Sequence, residues 1–261
     1  MEMTQRYVAL GDSFTEGVGD RDESRPNGVR GWADRVAEQL ILADPAAGYA
    51  NLAIRGRKLR QIMDEQVDAA LALEPTLVSI YGGGNDILRP RVDIDALLTT
   101  YEDGVARLRN SGAKVILFTG FDSSASAVFG KTRGRTAIYN ELVREIAENH
   151  GADIVDYWRM REFRDWRYWD TDRLHMSTAG HTLMARKVLD VMRTSHRIDV
   201  PGLETRPALG RLRQLRADAQ WAREYVGPWM GRRLRGVSSG DSLNPKFPTI
   251  TRNLDASSIT S

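Results

Sequence analysis

The 261-residue chain has no cysteine. Disulfides, thiolate nucleophiles and Cys-ligated zinc or iron–sulfur centres are thereby excluded, and covalent chemistry is left to serine, histidine, carboxylates and backbone donors. The absence also fits a reducing compartment, so a cytoplasmic location is expected. Long apolar runs are missing too: none approaches the roughly 20 residues that a membrane-spanning helix needs, and a soluble protein is expected. The start, MEMTQRYVALGDSF, lacks the basic segment, apolar stretch and small-residue cleavage site of a secretory signal. A removable leader is not expected there, because a candidate catalytic motif already begins at Gly11. An excess of charge of either sign is lacking, with 37 Lys+Arg against 35 Asp+Glu and a net +2. The whole-chain field thus gives no reason to expect a nucleic-acid partner.

What is present is one core's worth of apolar residues. With 41% hydrophobic and 28% charged residues, the chain can bury a sizeable core but is short for two full enzymatic domains. Short apolar runs alternate with stretches of helical periodicity. In order they are RYVAL, a helix over 31–43, GYANLA, a helix over 58–73, TLVSIY, a helix over 94–110, KVILFT, a helix over about 136–149, ADIVDY, and a helix from Ser177 to about Arg193. Ser177 suits an N-cap, and Asn149, His150 and Gly151 suit a helix end. Apolar strands covered on both faces predict a three-layer α/β/α fold around a mostly parallel five-stranded sheet.

After about Thr194 the alternation stops. Residues 1–193 are expected to form the main domain, and 194–261 an Arg-rich extension, partly helical, with a flexible polar end. Leu209, Leu212, Leu215, Ala219 and Ala222 lie at helical spacing there, and such a stripe favours packing on the core. Arg206, Arg211, Arg213, Arg216, Arg232, Arg233 and Arg235, beside Trp229, offer an alternative contact with an acidic membrane or polymer.

Ser13 directly follows the first strand, in Gly11-Asp12-Ser13-Phe14-Thr15-Glu16-Gly17. The carboxyl edge of an open α/β sheet is where ligands bind, which suits a nucleophile; the plainer reading is that Asp12 or Ser13 merely caps a helix. A serine hydroxyl needs a base, usually imidazole, and there are four histidines. His150 near a helix end, His196 in a polar stretch and His181 inside a helix all have structural explanations. His175 stands in Asp172-Arg173-Leu174-His175, where carboxylate and imidazole can meet across one turn and the Asp can hold the ring tautomer. Acyl transfer also needs donors for a developing oxyanion. Gly56 after GYANLA can bring its N–H close to a substrate, and Asn85, reached through Gly82-Gly83-Gly84, offers an amide. No GK[ST] or GxGxxG follows those glycines, so phosphate binding is set aside.

These residues resemble the SGNH (GDSL-type) hydrolase family, whose name lists its Ser, Gly, Asn and His blocks. GDSFTEG is similar to the first block, NLAIRG ending at Gly56 to the second, GGND to the third and DRLH to the last, in the family's order, over roughly the first 190 residues. The resemblance implies a flavodoxin-like three-layer fold and an acyl-enzyme on Ser13, with His175 as base then acid and Asp172 as its orienter. It also implies an oxyanion hole made of the Ser13 and Gly56 N–H groups and the Asn85 side chain, with no metal or organic cofactor. The expected partner is a small-molecule acyl ester or thioester. One departure is Arg173, where the family often has Gly; it bears on substrate or local packing more than on mechanism. A noncatalytic ligand-binding or interaction protein on the same fold, using its basic tail, is the alternative.

The stretch DYWRMREFRDWRYWDTD before Asp172 interleaves Tyr157, Trp158, Phe163, Trp166, Tyr168 and Trp169 with arginines. It can wall an acyl site, with aromatics to stack on a ring and Arg161, Arg164 and Arg167 to attract an anion. The plainer reading is packing plus a solvated charged face.

Overall fold

The computed structural model describes residues 4–126, 129–203, 205, 216, 219–227, 231 and 238–254. Five strands fall where the apolar runs predict them: β1 (Arg6–Gly11), β2 (Gly48–Asn51), β3 (Leu77–Tyr81), β4 (Lys114–Phe118) and β5 (Asp153–Val155). Single helical turns α1 (Ser13–Glu16) and α4 (Gly84–Ile87) follow β1 and β3. The longer helices are α2 (Gly31–Ala43), α3 (Leu59–Ala72), α5 (Ile94–Asn110), α6 (Arg133–His150) and α7 (Thr178–Val191). Helix α6 begins at Arg133, earlier than the periodicity suggests, while Ser177 caps α7 as expected by accepting a hydrogen bond from the Gly180 N–H.

The sheet order is β5-β4-β3-β1-β2-β6, and the first five strands are parallel. Side chains alternate across it with the period of two that a strand imposes. Tyr7, Ala9, Leu77, Tyr81, Ile116 and Phe118 face a core shared with α2 and α7, whereas Val8, Leu10, Val78, Ile80, Val115 and Leu117 face a core shared with α3, α5 and α6. Both faces are covered, which is why these strands read as unbroken apolar runs. No helix among the described residues is long and apolar enough to cross a membrane.

A sixth strand is the difference from expectation. β6 (Phe247–Thr251), in the polar end expected to be flexible, pairs antiparallel with β2, with Tyr49 opposite Thr251 and Asn51 opposite Phe247. FPTIT is short and half polar, because its outer face is a sheet edge, so its periodicity is too weak to read. Phe247 packs on Tyr49 with ring centroids 5.6 Å apart. Its neighbour Lys246 is fully buried and donates to the carbonyls of Glu16, Val29 and Arg30 at 2.9, 2.9 and 2.7 Å and to Asp34 Oδ2 at 2.7 Å. Of the expected Leu/Ala stripe, Leu209, Leu212 and Leu215 lie outside the described residues, as do all the named tail arginines except Arg216, together with Trp229. Ala219 is helical and exposed.

Removing one partner of a buried ion pair strands the other charge. Lys246→Ala is therefore expected to lower unfolding free energy by about 3–5 kcal/mol in urea titrations. A loss below about 1 kcal/mol, the scale of a surface pair, would show that Lys246 does not hold the C-terminal strand.

Candidate active site

The site is built on the carboxyl ends of β1, β2 and β3, plus the loop before α7. At the end of β1, a Cβ on Gly11 would stand 2.6 Å from the Tyr81 carbonyl oxygen and 2.5 Å from Thr15 Oγ1, so only glycine fits the turn. Gln66 of α3 grips that peptide from both sides: its Oε1 accepts from the Gly11 N–H at 2.8 Å and its Nε2 donates to the Gly11 carbonyl at 2.9 Å. Asp12 then caps α1, with Oδ1 accepting from the Phe14 N–H at 3.0 Å. The capping role that the sequence offered to Asp12 or Ser13 thus falls to Asp12, and Ser13 opens α1 as a lining residue of a cavity of about 150 Å³.

Glu16, completely buried in α1, ties this turn to the second loop. Its Oε2 accepts from the Arg55 N–H at 2.7 Å, and its Oε1 accepts from Arg55 Nη2 at 2.6 Å and from Asn27 Nδ2 at 3.1 Å. The next residue, Gly56, has a left-handed φ of +80°, and a Cβ there would meet Ser238 Oγ at 1.9 Å. Ser238 in turn donates to the Arg55 carbonyl at 3.1 Å.

The third loop brings Asn85 to Asp12. Asn85 Nδ2 donates to Asp12 Oδ2 and to the Arg57 carbonyl, both at 3.1 Å, so both amide hydrogens already have acceptors. Asp86 closes the arrangement by accepting from the Leu59 N–H at 2.9 Å at the start of α3. Burial pushes the Asp12 carboxyl up to about 7, against the opposing pull of the Phe14 N–H and of His175.

In the loop before α7, His175 Nδ1 meets Asp172 Oδ2 at 2.6 Å. Asp172 Oδ1 accepts from the N–H groups of Leu174 and His175 at 2.8 and 3.0 Å. Burial raises the Asp172 carboxyl, but bonds from His175 and these amides outweigh it and hold the group below its ordinary value. Between them Arg173 has φ +53°, a conformation that costs a non-glycine residue about 1–3 kcal/mol. Ser13, Asn85 and His175 line one cavity together with Asp12, while Gly56 is not among its lining residues. Among the described residues, no hydrogen bond joins Ser13 Oγ to His175.

The other histidines have the structural roles their positions suggest. His181 is buried, accepts from the Trp32 N–H at Nδ1 and donates from Nε2 to the Val18 carbonyl, and burial lowers it to about 4. His150 and His196 contact Glu102 and Asp190. In the aromatic segment, Arg161 and Arg164 converge with Arg133 on the buried carboxylate of Asp122, and Arg167 pairs with Asp165. Tyr157 and Trp169 line the cavity beside Phe121. Packing and ion pairing therefore account for the arginines, and two of the aromatics form the wall.

Sequence reasoning missed Glu16 and Gln66. Glu16 stands inside GDSFTEG, where a charged residue one turn after Ser13 was a usable signal; Gln66, in the middle of an amphipathic helix, gave none.

The chain belongs to the GDSL-like lipase/acylhydrolase family, whose model matches residues 9–183. It is thus an ester-hydrolysing enzyme by family. Among curated relatives, the GDSL esterase/lipase CPRD49 of Arabidopsis thaliana is 25% identical over 193 residues, 64% of this chain and 73% of that protein. The GDSL esterase/lipase WDL1 of Oryza sativa subsp. japonica is 24% identical over 58% of this chain and 69% of that protein. The fold is shared with the acetylxylan esterase Axe2 of Geobacillus stearothermophilus, at TM-score 0.59 and 23% identity over 75% of this chain and 98% of that one. It is also shared with the psychrotrophic esterase EstA of Pseudoalteromonas sp., at TM-score 0.57 and 18% identity over 72% and 97%.

A carboxyl carbon NMR titration of Asp12 is expected to show a midpoint near 7. Because the folded value lies above the unfolded one, this group's contribution to stability is complete below about pH 4 and is lost as pH rises through 7. A midpoint near 4, the ordinary aspartate value, would mean that Asp12 is hydrated in solution.

Proposed function

We propose that the chain is a serine hydrolase that cleaves carboxylic ester or thioester bonds of small acyl substrates through an acyl-enzyme. The observation that carries this reading is the 2.6 Å contact of His175 Nδ1 with Asp172 Oδ2, with His175 and Ser13 lining one cavity. The contact puts the proton on Nδ1 and leaves Nε2 as the base. Ser13 Oγ attacks the carbonyl carbon as His175 Nε2 takes its proton, forming a tetrahedral oxyanion. Collapse breaks the bond to the leaving alcohol or thiol, which receives that proton from His175. Water, activated by the same imidazole, then attacks the acyl-Ser13 ester and releases the acid.

Donors for the oxyanion are the Ser13 N–H, at the start of α1, and the Asn85 amide. Asn85 turns one hydrogen from Asp12 or Arg57 toward the oxyanion as charge develops, which makes its interaction stronger in the transition state than in the ground state. Gly56 joins them as a third donor on the family resemblance, its left-handed backbone supporting close approach. The cavity wall of Phe14, Phe121, Phe129 and Trp169 supports an apolar acyl group.

Turnover of a p-nitrophenyl ester panel tests the assignment. Ser13→Ala is expected to reduce kcat to background, Asp172→Asn to cost about 10⁴-fold and Asn85→Ala about 10²–10³-fold. Full activity in Ser13→Ala would remove the nucleophile from this account.

A further inference from the structure

The turn that carries Asp172 and His175 closes largely on itself. Asp170 N–H donates to the His175 carbonyl at 2.8 Å and Arg173 N–H to the Asp170 carbonyl at 2.9 Å. At its crest stands Arg173, held at φ +53° without being glycine. From outside the turn, one stretch of the C-terminal region reaches three consecutive residues. Trp221 Nε1 donates to the Asp172 carbonyl at 3.0 Å, the Arg173 guanidinium lies over the Trp221 ring at 4.9 Å, and Tyr225 Oη stands 3.5 Å from Thr171 Oγ1.

The first two contacts act on both sides of one peptide unit. The indole N–H fixes the carbonyl that joins Asp172 to Arg173, and the indole face holds the Arg173 side chain through a cation–π contact. Together they set the rotation of Arg173 and hence the approach of His175 to Asp172 two residues on. Orientation of this pair matters because small displacements of a catalytic imidazole are costly in rate. Arg173 also lines the cavity, so Trp221 packs on a residue of its wall.

We infer that Trp221 is a positioning residue for the Asp172–His175 pair: it latches Arg173 in a left-handed backbone, and the C-terminal segment is thereby part of the working site. The inference rests on the serine-hydrolase reading for its effect on rate, but not for its effect on the imidazole. The role also gives the non-glycine residue in the Asp-x-x-His turn a physical partner. A glycine at the same position would need no side-chain contact to offset steric strain, since it adopts positive φ at little steric cost.

The test is a double-mutant cycle in the full chain with Trp221→Ala and Arg173→Gly, read by ester kinetics and by the downfield proton NMR signal of His175 Nδ1. Trp221→Ala alone is expected to lower kcat on the order of 10- to 100-fold, with KM changed less than about threefold, and to shift or broaden the Nδ1 signal. In the Arg173→Gly background the same substitution is expected to cost several-fold less in kcat and to disturb the signal less, because only the bond to the Asp172 carbonyl remains to be lost. An equal loss in both backgrounds, or no change in kcat and signal in either, would overturn the latch. If the wild type hydrolyses no ester, the serine-hydrolase reading fails by itself, and the Nδ1 signal across the four proteins decides the latch alone.

Discussion

The buried carboxylate of Glu16 is the constraint on which the site depends. It is completely buried within the first turn after the strand that delivers Ser13, and a charge so placed is tolerable only when its lone pairs are filled. Arg55 fills them with both backbone and guanidinium, and Asn27 adds a third donor. The Glu16 carbonyl is taken by Lys246, so the same residue also anchors the start of the edge strand. Three pieces of chain far apart in sequence are thereby held together: the Ser13 turn, the Gly56 loop and the C-terminal strand. Gln66 on Gly11 and Asp12 on Asn85 extend the same principle to α3 and the third loop. Half-satisfied, such a network would be worse than an apolar core; filled, it fixes one geometry.

Much of this was legible in the sequence, for identifiable reasons. The five parallel strands read as apolar runs because both sheet faces are covered, and the long helices because their apolar faces repeat. The GDSF, GGND and DxxH segments were legible because each sits beyond a strand end or before a helix cap, where glycines and short polar residues mark a turn. His175 could be separated from the other three histidines by its neighbour Asp172, and the structure gives His181 the buried structural role expected of it. What could not be read were pairings between distant buried polar residues. Lys246 with Asp34 and Gln66 with Gly11 have no local pattern, and a lysine in a polar segment reads as a solvated charge until the fold buries it. The strand Phe247–Thr251 was obscured for the related reason that an edge strand needs only one buried face.

The charge around the cavity follows from ion pairing. Three arginines from two segments converge on Asp122, whose carboxylate their hydrogen bonds hold well below its ordinary range even though its own burial opposes them. The result is a braced wall: the loop after β4 is tied to α6 and to the aromatic segment, and Phe121, Tyr157 and Trp169 present a continuous apolar surface to the cavity. On the proposed mechanism, rigidity of this wall and of the Asp172–His175 turn would serve one end, which is to hold a carbonyl carbon beside Ser13 with little movement of the surrounding groups.

The most direct measurement of that claim is covalent capture of the nucleophile. Native protein treated with a fluorophosphonate is expected to gain one label by intact mass, mapped by peptide sequencing to Ser13, and to gain none after denaturation. Because the proposed mechanism activates Ser13 only through the assembled His175–Asp172 pair and the oxyanion donors, this pattern tests the site as a unit. A folded protein that takes up no label, or takes it at another residue, would contradict the account.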